Sequence, residues 1–248
     1  PMPVDVEIVE EAPAKQSYAG DMKSFLSLTW PLLLGNMLEW YEFGIYGYVE
    51  KEIAENFFDG SSEDAWLGFA ITFVARPMGG FLLGYIADNC GRKLSVLISL
   101  GGMILATVGQ GLLPGKYFGA DARHFGLGGL VCCRVLQGIS AGGEIGAVSA
   151  YLVEVSPIKT LGMAVCMISV GSQIAWAFAS LLVALLSSAL THQQMLEWGW
   201  RIPFLLAAIP GIISVVGRKR IPETETFLEI AAEGATSKSG FGFVELIK

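Results

Sequence analysis

Five charged side chains lie inside long apolar stretches of the sequence: Glu39, Glu42, Arg76, Arg134 and Glu144. In a membrane, an ionised side chain at the bilayer centre costs at least ~2.5–3.5 kcal/mol on insertion scales. Such residues are expected to face a helix-bundle interior or an aqueous cavity, and to pair with opposite charges. Acids and arginines placed in this way can carry protons or hold small charged molecules.

Two of these acids, Glu39 and Glu42, are three residues apart, which puts them on one side of a helix. Burial and mutual repulsion both favour the protonated form of such carboxyl groups, so proton uptake near neutral pH is expected. A proton relay is the natural use of this arrangement. The alternative interpretation is that the charges serve only as structural links between helices.

The level of each charge within its helix follows from a rise of ~1.5 Å per residue. By this count Glu42 and Arg134 lie at one level, and Glu39 and Arg76 share another level about 20 Å from the cytosolic side. Two acid–base pairs near the midplane are therefore geometrically allowed. A continuous polar stripe also runs along one face of the fourth apolar stretch: Arg134, Gln137, Ala141 and Glu144.

The composition indicates a membrane protein. Hydrophobic residues make up 53% of the chain and charged residues 16%, and the mean hydropathy is +0.55. This is more apolar surface than a single soluble core of 248 residues normally hides, so the lipid bilayer is the first expected partner. Many of the acidic residues that give the chain its net charge of −7 lie in segments 5–21 and 50–64, which are predicted to be tails or loops. A nucleic-acid partner is not expected.

Metal, cofactor and catalytic chemistry are not indicated. The four cysteines show no ligand spacing and lie in or beside apolar runs, where they are expected to act as small apolar side chains: Cys90, Cys132, Cys133 and Cys166. His124 and His192 lie in predicted outer loops, away from any nucleophile or metal-ligand cluster. The sequence therefore predicts a protein that is not an enzyme.

Six apolar segments are long enough to cross a bilayer as helices: 26–49, 65–87, 94–113, 126–152, 162–190 and 200–217. They predict a cytosolic amino-terminal tail (1–24), a transmembrane lobe of six spans (25–217) and the start of a central cytosolic segment (218–248). Both termini are expected in the cytosol, because ten basic residues then lie inside and four lie in outer loops. The outer basic residues are Lys51, Lys116, Arg123 and Arg201. The densest inner cluster begins at Arg218, and the host membrane is expected to be a plasma or bacterial inner membrane.

Motifs in the apolar segments carry a family resemblance. Residues 35–47 (GNMLEWYEFGIYG) resemble the first-span pattern G-N-x-x-E-W-[FY]-D-[FY]-x-x-Y-G of the metabolite:proton symporter family within the major facilitator superfamily. Residues 76–80 (RPMGG), 134–146 (RVLQGISAGGEIG), 198–204 (WGWRIPF) and 222–227 (PETETF) resemble further motifs of that family. Their order and spacing make the resemblance specific over nearly all of residues 35–227.

The resemblance also covers the cytosolic signature between the second and third spans, which here comprises Gly84, Asp88, Asn89, Gly91, Arg92 and Lys93. Glycine permits the tight inner turn, and Asp88 with the basic pair can form and break contacts as an inner gate opens. A short turn anchored by positive charge is the simpler interpretation. Asn89 departs from the usual basic residue, and Glu42 replaces the usual aspartate.

The resemblance implies an all-helical lobe made of two three-helix inverted repeats, with the substrate site between this lobe and a second one. It implies proton-driven symport of a small polar or anionic metabolite: a carboxylate, an amino acid or a compatible solute. Glu42 with Arg134 would be the leading proton-coupling pair, and Glu39 with Arg76 a second one. Glu144 would be an inner relay or part of the gate. Arg134, Gln137, Trp40 and Tyr41 are candidates for the substrate cavity.

The second lobe of such a transporter is missing from this sequence, so we interpret the chain as part of a protein with twelve spans. Two functions compete with symport. A facilitator or sugar-type porter of the same superfamily would work without protons. A sensor or assembly subunit of the membrane would use the same charges only to join helices.

Overall fold

The computed structural model describes residues 18–156 and 161–220, and in these ranges every regular element is helical. The elements are α1 (Tyr18–Tyr48), α2 (Glu50–Phe57), α3 (Ser62–Cys90), α4 (Arg92–Leu112), α5 (Ala120–Val155), α6 (Leu161–Ala189), α7 (His192–Gln194), α8 (Arg201–Leu206) and α9 (Ala208–Lys219). A 3-10 turn, Lys116–Phe118, precedes α5, and a π-helical turn, Met195–Gly199, follows α7. The predicted all-helical fold is confirmed.

Five helical segments among the described residues are long and apolar enough to cross a membrane: Ser62–Cys90, Arg92–Leu112, Asp121–Glu144, Leu161–Ala189 and Arg201–Lys219. The 31-residue α1 is the remaining long helix, and Asn36, Glu39 and Glu42 lower its hydropathy. These three side chains are buried inside the lobe. The outer surface of the lobe carries large apolar side chains such as Val74 and Leu105, as expected of a surface that contacts lipid.

The sixth predicted span is present as the helical segment Arg201–Lys219, with a single turn residue at Ala207, where Pro210 supplies no backbone N–H. Two predictions about local structure are wrong. Segment 50–64 is not a loop throughout, because Ile53 and Phe57 anchor α2 to the core. The predicted outer loops are also shorter than expected, so that Arg123 and His124 lie in α5, His192 in α7 and Arg201 in α8. The motif at 222–227 lies outside the described residues.

The helices pack in two groups. In one group α5 packs along α3 and α4, and in the other α1 packs along α6 and α9. Glycines bring α3 and α5 into backbone contact, since a Cβ atom at Gly138 would overlap the carbonyl of Thr72, and one at Gly142 would overlap the carbonyl of Arg76. This close approach in a membrane helix pair holds Arg76 at a fixed distance from α5.

Charged contacts stabilise the end of the lobe that carries α2 and the 3-10 turn. Lys116 pairs with Glu55 of α2, and Arg123 Nη1 lies 2.5 Å from Asp59 Oδ1. The hydrogen bond from Arg123 lowers the pKa of the exposed Asp59 carboxyl below its ordinary value. Arg201 donates from Nη1 to the carbonyls of Gly111 and Leu113, and so satisfies the carboxyl end of α4.

Two glycines on α5 make a matched test of the α3–α5 contact. Gly142→Ala should destabilise the full-length protein, because the new Cβ overlaps the backbone of Arg76. Gly146→Ala should be neutral or stabilising by up to about 1 kcal/mol, because its surroundings are open and alanine is the better helix former. Thermal unfolding of both variants in detergent checks this, and equal melting temperatures would contradict the packing described here.

Candidate functional site

Six charged side chains meet in three pairs inside the lobe. Glutamates come from α1 (Glu39, Glu42) and α5 (Glu144), and arginines come from α3 (Arg76), α5 (Arg134) and α9 (Arg218). The side chains of Glu39, Glu42, Arg134, Glu144 and Arg218 are at most 1% exposed. These charges therefore neutralise one another in a region of low dielectric constant.

The predicted contact between Glu42 and Arg134 is present. Arg134 Nη2 lies 2.9 Å from Glu42 Oε1 in an ion pair without hydrogen-bond alignment, and Gln137 donates to Glu42 Oε2. Arg134 donates to Gln137 Oε1 at 2.8 Å and to Gln110 Oε1 at 2.5 Å. Its guanidinium carbon also lies 3.9 Å from the ring centroid of Tyr46. This pair is enclosed by side chains of α1, α4 and α5.

The second predicted pair is also present, at the edge of the interior. Arg76 Nη2 donates to Glu39 Oε1 at 2.6 Å. The guanidinium carbon of Arg76 lies 4.9 Å from the ring centroids of both Phe43 and Phe73. The Arg76 side chain is 21% exposed, whereas the Glu39 side chain is completely buried. The arginine of this pair therefore reaches the surface of the lobe, whereas its acid does not.

The third pair, Glu144 with Arg218, is held more tightly than either of the others. Arg218 Nη2 donates to Glu144 Oε1 at 2.6 Å, and Ser99 donates to the other carboxylate oxygen at 3.0 Å. Arg218 also donates to the backbone carbonyls of Pro31, Leu32 and Val96. These contacts join α1, α4, α5 and α9 near the carboxyl end of α9.

Gly35, the first residue of the α1 motif, provides the space for this arginine. A Cβ atom at position 35 would overlap the guanidinium of Arg218. Sequence reasoning missed Arg218, because a basic residue after an apolar stretch is ordinarily a cytosolic charge. The structure corrects this interpretation: Arg218 is buried in the last turn of α9. Gln110 was missed too, because a single amide in an apolar helix gives no periodic signal.

The aromatic candidates for the cavity lie apart from the charge pairs or at their edge. The Tyr41 hydroxyl donates to the carbonyl of Pro203 at 3.0 Å, and its ring packs against Phe178 of α6. Tyr41 therefore contacts neighbouring helices rather than the charge pairs. Trp40 is half-buried and packs edge-on against Phe43.

The cytosolic signature forms the α3–α4 turn. Gly91 has φ of +105°, a conformation that L-residues rarely adopt and that glycine permits. Arg92 Nη1 contacts Asp88 Oδ1 at 3.1 Å, while Asn89 donates back to the carbonyl of Tyr85. Gly84 lies in α3, and Lys93 lies in the first turn of α4. The role of this turn in gating stays a prediction.

Helical spans around buried ion pairs define an integral membrane protein, and solved structures identify its fold. Over 87% of its length the chain superposes, with a TM-score of 0.75 and 19% identity, on the major facilitator superfamily proton:xylose symporter XylE bound to 6-bromo-6-deoxy-D-glucose. A D-xylose-proton symporter gives a TM-score of 0.72 at 20% identity over 85% of the chain. The matched regions are 48% and 51% of those two chains. The fold is therefore that of one lobe of the major facilitator superfamily.

Within that fold, the chain belongs to the sugar (and other) transporter family, which residues 28–241 match. It is 35% identical over 204 residues to the ectoine/proline transporter ProP of Corynebacterium glutamicum, and 34% identical over 200 residues to a proline/betaine transporter of Salmonella typhimurium. These matches cover 79% and 78% of the chain but only 40% and 39% of the relatives. The chain thus spans about two fifths of the length of these relatives.

The Glu144–Arg218 pair can be tested by charge removal. Glu144→Met and Arg218→Met should each destabilise the full-length protein by about 3–5 kcal/mol, because each leaves one buried charge unpaired. The double variant with Met at both positions should recover most of the loss, since no unpaired charge remains. Thermal unfolding measures all three, and a double variant as unstable as the sum of the single ones would contradict a closed ion pair.

Proposed function

We propose that the chain forms the amino-terminal lobe of a proton-coupled symporter for a small polar or anionic metabolite, and that the transporter works by alternating access. The supporting observation is the Glu42–Arg134 pair, whose only neutralising partners inside the described lobe are each other. A proton on Glu42 would remove the negative charge and leave Arg134 uncompensated. Substrate or helix movement must then restore the balance, which couples the proton to transport.

Amide side chains around this pair support a switching role. Gln137 donates to Glu42 and accepts from Arg134, and Gln110 accepts from Arg134. An amide group can rotate to exchange donor and acceptor, so these two residues could hold Arg134 after Glu42 is protonated. Glu39 with Arg76 would be the second coupled pair in this scheme. Glu144, which is bound by Arg218 and Ser99, is better suited to structure than to proton relay.

The proposed substrate class is a carboxylate, amino acid or compatible solute. The two relatives named above are described as transporters of ectoine and proline, or of proline and betaine. Their identity to this chain exceeds that of the xylose symporters, whose likeness supports the fold alone. A second helical lobe, absent from this sequence, would supply the rest of the substrate site, and Asp88 with Arg92 would belong to an inner gate.

Glutamine substitution of Glu42 tests the coupling. In proteoliposomes with the full-length protein, Glu42→Gln should abolish accumulation of radiolabelled proline or betaine driven by a pH gradient, because the side chain can no longer bind and release a proton. Exchange of labelled for unlabelled substrate at equal pH should persist. Glu42→Asp, which stays titratable, should retain part of the accumulation. Undiminished accumulation in Glu42→Gln would remove Glu42 from this role.

The several contacts that hold Arg134 in place also favour a second candidate function, a facilitator in which the ion pairs serve only to join helices. Uptake by a facilitator should be unchanged when a proton uncoupler collapses the gradient, whereas symport should lose accumulation. A sensor or assembly subunit should show neither uptake nor exchange.

We further propose that both termini lie in the cytosol of a plasma or bacterial inner membrane. In a cysteine-free background, Lys51→Cys on α2 should react with a membrane-impermeant maleimide added to intact cells, and Lys219→Cys on α9 should react only after the membrane is opened. Both positions are exposed, which makes them a matched pair. Labelling of Lys219→Cys from outside would reverse the proposed orientation.

A further inference from the structure

The three internal arginines differ in how much of each side chain is exposed. Arg134 is completely buried and Arg218 is 1% exposed, whereas 21% of the Arg76 side chain is exposed. An arginine within a membrane span is strongly disfavoured against lipid. The open side of Arg76 is therefore expected to adjoin a polar space rather than lipid.

The hydrogen-bond donors of the three arginines are used to different extents. Arg218 donates from Nε and from both terminal nitrogens, and Arg134 donates from both terminal nitrogens to amide oxygens. Arg76 donates only from Nη2, to Glu39, and its Nε has no partner among the described residues. Arg134 Nε is also without a partner, but it lies inside a side chain that is not exposed. Arg76 thus combines unused donors with an open side.

Two aromatic rings fix the orientation of this guanidinium. Phe43 and Phe73 each lie 4.9 Å from the guanidinium carbon, and the two rings are stacked with their centroids 5.6 Å apart. Phe73 is 48% exposed, so it can also offer an apolar wall to a molecule in the polar space. A guanidinium group held in this way can present two parallel N–H donors to the two oxygens of a carboxylate.

The acid of the pair, Glu39, also has an oxygen that can accept a further hydrogen bond. Glu39 Oε1 accepts from Arg76, while Glu39 Oε2 is buried and accepts no hydrogen bond from the described part of the chain. A buried carboxylate with one unsatisfied oxygen is held less well than Glu144, both of whose oxygens accept hydrogen bonds. Replacing this contact therefore costs less than opening the Glu144–Arg218 pair.

We propose that Arg76 binds the carboxylate group of the transported molecule, and that the Glu39 carboxylate takes the same position on Arg76 when no substrate is bound. This inference rests on the proposed transport function and narrows its substrate class to carboxylates, zwitterions included. When the substrate arrives, its carboxylate takes the place of Glu39 on Arg76, and a proton neutralises the released Glu39. The local charge is the same before and after the exchange. Arg134 contacts no substrate in this scheme.

Equilibrium binding to the full-length protein in detergent tests this assignment. The probes are radiolabelled proline and glycine betaine, and the competitors are prolinamide and choline, which lack the carboxylate. Wild type should bind the probes and discriminate against the competitors. Arg76→Met should weaken probe binding by at least about 10-fold, since a charge-assisted contact is lost, and should abolish the discrimination. Arg76→Lys should recover part of the affinity, and Arg220→Met, an exposed arginine elsewhere, should behave like wild type.

Glu39→Gln supplies the readout that a structural role would not give. If Glu39 competes with the substrate, this variant should bind the probes more tightly than wild type at neutral pH, while Arg76→Met binds them more weakly. Weaker binding in both variants, discrimination retained in Arg76→Met, or no binding of either probe to wild type would each overturn the assignment. The proposed coupling is judged separately by accumulation in Glu42→Gln, so failure of one leaves the other measurable.

Discussion

Charge neutrality inside the lobe is the constraint on which the arrangement of its helices depends. A buried arginine or glutamate without a partner costs several kcal/mol, so each of the three arginines must lie against a glutamate. All three ion pairs join the two packing groups of the lobe: α1 to α3, α1 to α5 and α5 to α9. Apolar and glycine contacts hold each group together, whereas the charges fix one group relative to the other.

The three pairs differ in what else holds them, and this gives each a different capacity to open. Three backbone carbonyls, two on α1 and one on α4, fix Arg218, and carbonyl groups cannot turn away without deforming a helix. Amide side chains hold Arg134, and they can rotate. Among the residues that the structure describes, Glu39 and two aromatic rings hold Arg76. The pairs therefore form a series from closed to open, from Glu144–Arg218 through Glu42–Arg134 to Glu39–Arg76.

The sequence predicted the helical spans and two of the three pairs, because charges in apolar stretches are few and their levels follow from helical rise. It did not predict the partner of Glu144, since Arg218 stands among two other basic residues at the end of a span. The role of Gly35 could not be read from its motif either, because the overlap with Arg218 depends on how α1 packs against α9. Contacts between helices that are far apart in the sequence leave no recognisable pattern in either helix.

The pairing of the buried charges has a consequence for the proposed transporter. The six charges of the three internal pairs find their counter-ions inside this lobe, so a second lobe is not required to neutralise them. In the proposed transporter, communication between the lobe interior and a substrate cavity would then use a group that belongs to both. Arg76 meets this condition, because it is bound to a completely buried acid and is itself partly exposed. From there a change at Glu39 can reach Glu42 through α1, on which the two acids lie one turn apart.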